Sequence, residues 1–185
     1  MTRQAQKDKE MEVAQFFIDR LNAFYEFDYV PESNPNEVDD FQFTDVFARS
    51  KKHEDLLLQL VTSDGDYYKT IAAGRRERER TGDPLSSVML VPNGNGTTDP
   101  IRWMIEHKKE KTTGKEILLV HEEVISVTWN PEGAKRMLPP LAVDSPFKAV
   151  FLVILPTGEN VKTTRRFDGQ VIALKNIFGL NGESF

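Results

Sequence analysis

Cysteine is absent from the 185-residue chain, which excludes disulfides and cysteine-ligated zinc. Histidine is scarce: His53, His107 and His121, three in all, are too few for a histidine-rich metal centre. Long apolar runs are missing as well. The longest, around residues 56–58 and 149–155, fall far short of the ~20 residues that a membrane span requires, and they read as buried strands. No apolar core of a signal peptide follows the polar start Met1-Thr2-Arg3-Gln4, so the expectation is a cytoplasmic protein with no membrane partner. Positive charge is in deficit, with 24 Lys and Arg against 29 Asp and Glu and a formal charge of −5. That is the wrong sign for a chain whose main task is to coat nucleic acid through a broad basic face, although a local basic patch stays open. Familiar phosphate and nucleophile signatures are lacking too. Asn93-Gly94-Asn95-Gly96 is not followed by Lys-Ser or Lys-Thr, and there is no G-x-S-x-G or dinucleotide fingerprint.

What remains is a globular balance, 39% hydrophobic and 29% charged, in a length that fits one domain over residues 1–185. Internal repeats, low-complexity segments and linkers are not apparent. Met11, Ala14, Ile18, Leu21 and Tyr25 recur at helical spacing and predict an amphipathic helix over residues 8–25. Residues 26–30 suit a short strand, and Pro31-Glu32-Ser33-Asn34-Pro35-Asn36 reads as a turn. Residues 44–49 and 55–62 read as a strand hairpin, the second strand apolar enough to be covered on both faces. A weak helix over residues 67–80, a short run over 87–91 and a loop over 92–98 follow. Asp99-Pro100 suits a helix start, with Ile101, Met104, Ile105 and Lys108 as its inner stripe and Gly114 as its close. Residues 116–120 form a buried strand, which 124–129 continue or leave to pair elsewhere. A helical turn over 134–138, a hairpin of 149–155 with 160–166, and a short helix over 171–178 complete the expectation: an α/β domain with a mixed sheet flanked by helices.

Asp45 opens one strand of the early hairpin, and Leu56-Leu57-Leu58-Gln59-Leu60-Val61 forms the next. Together with the preceding helix and the helix and strand over residues 100–120, this order resembles the restriction-endonuclease-like core, whose motif is PD-(D/E)-x-K. The likeness covers residues 8–125, with 126–185 completing the domain. It implies that Asp45 and Gln59 hold Mg²⁺ through oxygen ligands and that Glu12 assists from the first helix. The metal polarises a phosphate and activates water. It also implies a lysine where this chain has Val61, so Lys108 or Lys109 is the candidate to supply the missing charge. Residues two apart on a strand share a face, which sets Gln59 and Val61 together.

Each signal has an ordinary structural reading beside it. Asp45 can be a turn carboxylate, Gln59 a buried amide with a structural hydrogen bond, and Glu12 a solvated helix residue. The run Gly74-Arg75-Arg76-Glu77-Arg78-Glu79-Arg80 interleaves its arginines with glutamates and favours a solvated face over a phosphate grip. His121-Glu122-Glu123 lacks the H-E-x-x-H spacing of a helical zinc site. Trp103 and Trp129 suit the core better than a stacking platform. The expectation is therefore a restriction-endonuclease-like domain with a degenerate metal site, inactive or weakly active on nucleic acid, with Mg²⁺ its cofactor only if active. The alternative is a non-enzymatic interaction or assembly module of the same fold, whose acidic surface points to a protein partner; DNA or a protein is the expected partner, and a homodimer is also open.

Overall fold

The computed structural model describes residues 3–34, 41–62, 98–121, 139–156 and 168–177. Helix α1 runs over Arg3–Tyr25, starting earlier than the periodicity predicts. Its polar opening turns are supported by side-chain pairs four residues apart, Gln4 to Asp8 at 2.7 Å and Gln6 to Glu10 at 2.8 Å. The face it buries is Val13, Ala14, Phe17, Ile18 and Leu21, all fully buried, while Met11 and Tyr25 pack at the margin. Glu26 ends the helix in the left-handed region (φ 58°). Asn22 then receives the backbone N–H of Tyr29 at 3.1 Å and donates to its carbonyl at 2.8 Å, fixing the turn into the sheet.

The sheet contains β1 (Val30–Ser33), β2 (Val46–Arg49), β3 (Leu56–Thr62), β4 (Ile117–His121), β5 (Ala149–Ile154) and β6 (Gln170–Lys175), in that spatial order. Strands β1, β2 and β3 form an antiparallel meander; β3, β4 and β5 are parallel, and β6 returns antiparallel to β5. Helix α2 (Thr98–Lys108) precedes β4. Helix α1 covers one face, against Leu58, Leu60, Ile117, Leu119 and Phe151, with Phe17 meeting Phe151 at 4.9 Å between ring centroids. Helix α2 covers the other through Ile101, Met104 and Ile105, against Val61, Leu118, Val120, Val150 and Leu152. The α/β class with a mixed sheet flanked by helices is thus as expected.

Several local expectations need correction. Pro31, Glu32 and Ser33 belong to edge strand β1 rather than to a turn; an edge tolerates proline because the missing N–H need not face a neighbour. Residues 171–175 form most of β6, not a helix. Val171, Ile172, Ala173 and Leu174 are all buried, so the run has no period to separate the two structures, and the pairing with β5 decides. Helix α2 stops at Lys108, and Gly114 takes φ +84° in the later turn into β4 rather than closing the helix. The predicted elements over 67–80, 87–91, 124–129, 134–138 and 160–166, the arginine run, the Asn93–Gly96 loop and Trp129 lie outside the described residues. Trp103 packs half-buried against the α2-side core and stacks on His107 at 4.9 Å. Among the described residues no helix is long and apolar enough to cross a membrane.

Glu116, immediately before β4, is fully buried. It accepts the Thr112 hydroxyl at 2.6 Å, the Thr113 N–H at 2.8 Å and the Thr113 hydroxyl at 2.8 Å. Burial pushes its carboxyl up, but the bonds from Thr112 and Thr113 outweigh it and hold the pKa below the usual value. A depressed carboxylate stabilises the fold above its unfolded pKa of about 4.3, and the contribution is lost as pH falls through the folded value. Urea unfolding of wild type and Glu116→Gln from neutral to acid pH is expected to show two effects. The variant loses about 1–3 kcal/mol at pH 7, and the gap closes in acid. A gap that does not change with pH contradicts this role.

Candidate functional site

Thr44 and Asp45 lead the chain into β2, and Asn34 fixes that approach. Its backbone N–H reaches the Asp45 carbonyl at 3.1 Å, and its side-chain amide donates to the carbonyls of Thr44 at 2.8 Å and Phe41 at 3.3 Å. Asp45 donates its N–H to the Leu58 carbonyl at 2.9 Å and accepts the Leu60 N–H on Oδ2 at 2.7 Å. Those two partners flank Gln59, so Asp45 and Gln59 do come together across β2 and β3. The contact also gives Asp45 a structural task, because one carboxylate oxygen replaces a backbone acceptor at the end of the ladder.

Gln59 is 3% exposed, and its Oε1 has no hydrogen-bond partner among the described residues. A buried amide oxygen left this way costs about 1–3 kcal/mol. Leu58 and Leu60 face α1, so the alternation of the strand turns Gln59 and Val61 toward α2. Val61, 8% exposed, packs in the layer of Ile101, Met104 and Ile105. This position is lined by hydrocarbon.

Beside Asp45 lies a cleft of about 20 Å³, enough for one water; anything larger must lie across its mouth. Its walls are Ser33 and Asn34 at the end of β1, Thr44, Asp45 and Val46 at the start of β2, and Lys7 and Glu10 from α1. Glu12 is absent from it: this side chain is solvent-exposed and pairs with Lys9 at 3.1 Å. Two residues on a helix subtend about 200°, which sends Glu12 away from the face that carries Glu10. Lys108 and Lys109 sit at the end of α2, outside the cleft walls, and Lys109 is bound to Glu106 at 2.7 Å. Asp45 therefore lies opposite Gln59 in the backbone ladder, but Gln59, Glu12, Lys108 and Lys109 are all outside the walls of the cleft beside Asp45. Glu10 and Lys7 were legible in principle, since positions 7, 10, 14, 17 and 21 continue one helical stripe from polar into apolar residues.

The oxygen-only donor set of Asp45, Glu10 and Thr44 suits a hard cation such as Mg²⁺, which accepts one or two carboxylates and keeps several waters. Among the described residues no group of three or more His, Cys, Asp or Glu side chains could hold a metal. Asp45 Oδ2 and Glu10 Oε1 already accept the Leu60 N–H and the Gln6 amide. The lining of the cleft therefore does not make up a metal centre. The chain matches no family model, no curated protein and no solved structure.

The two tasks of Asp45 separate by substitution. Asp45→Asn keeps an oxygen for the Leu60 N–H and is expected to remain close to wild-type stability. Asp45→Ala orphans that N–H and is expected to lose about 1–3 kcal/mol. Equal stability of the two variants in urea denaturation contradicts the structural task.

Proposed function

We propose that this chain is a restriction-endonuclease-like domain with a degenerate metal site, inactive or only weakly active on nucleic acid, with Mg²⁺ as its cofactor where it acts. The observation that carries the reading is Val61, buried against α2 at the position where the resemblance asks for lysine, two residues after Gln59, whose neighbours Leu58 and Leu60 bond to Asp45. The element order supports it: a helix, an antiparallel meander whose second strand is preceded by Asp45, then a helix and a strand parallel to the third. Catalysis of phosphodiester hydrolysis needs positive charge near the developing negative charge, and Val61 offers none. Gln59 contributes at most a neutral amide oxygen, a weaker ligand than carboxylate for a hard ion.

A second reading is a recognition or assembly module of the same fold. It is favoured by apolar side chains left in solvent near the β1 edge, Val30 at 63% exposure and Phe24 at 45%.

Calorimetric titration of Mg²⁺ and Mn²⁺ into wild type and Asp45→Ala, followed by incubation with plasmid and single-stranded DNA, decides between them. The nuclease-like reading expects weak cation binding that disappears with Asp45, with slow nicking or none. Absence of cation binding together with absence of cleavage sinks it and moves the search to protein partners.

A further inference from the structure

We draw no further inference here: the strongest candidate, the apolar surface patch at the β1 edge around Phe24 and Val30, carries nothing because nothing among the described residues shows what covers it.

Discussion

Every side chain of β4 and β5 is buried, and this two-sided burial governs the rest of the molecule. A strand covered on both faces leaves no side for water, so an apolar layer must be laid on each. Helix α1 supplies one through Phe17, Ile18 and Leu21, and α2 supplies the other through Ile101, Met104 and Ile105. At roughly 25 cal/mol per Å² of apolar surface, these layers are the main favourable term the described chain has, since it contains no disulfide. Polar groups are displaced to where strands begin and end. Asn34, Thr44, Glu116 and Ser145 flank strands and His121 ends one, its Nδ1 3.0 Å from the Val153 carbonyl.

Gln59 is the exception, a buried amide in the middle of β3. Its neighbours on the α2 side are hydrocarbon, and a lysine at position 61 would have to bring an ammonium into the same layer. Burial of an unpaired charge costs far more than burial of an amide, so the packing that completes the α2 face is incompatible with a charged residue there unless its head reaches solvent. The α2-side face of β3 is therefore closed to charge at Val61. Asp45, near the ladder's end, is a carboxylate that the scaffold uses, accepting the Leu60 N–H.

Patterns with a period were legible in the sequence. The repeat of α1 and the Ile101–Met104–Ile105 stripe of α2 follow the helical turn, while β3, β4 and β5 are apolar runs too short for anything but strands. Asp45 and Gln59 could be paired because a hairpin fixes which residues oppose one another. Where the period vanished, reading failed: Val171–Leu174 carries no alternation, and only the antiparallel pairing to β5 makes it a strand. Pro31 masked β1 because proline argues against strands in general but not against edges. Glu12, which the resemblance implies, lies off the buried stripe of α1 that Glu10 continues. The role of Glu116 was hidden because it depends on a three-residue turn, Thr112-Thr113-Gly114, whose hydroxyls converge on one carboxylate. Residue type alone does not show that convergence.

The net charge of −5 bears on what the Asp45 cleft can meet. In physiological salt, charges separated by more than about 8 Å are largely screened. The overall acidity therefore weakens the long-range approach of a polyanion without determining what happens at contact. At contact the local set counts: Glu10 and Asp45 of one sign, Lys7 of the other, in a space about one water wide. Such a site cannot gain affinity by engulfing a ligand, because nothing larger than water enters it. It can only touch a group presented at its mouth, and any tight binding must come from surface elsewhere on the chain.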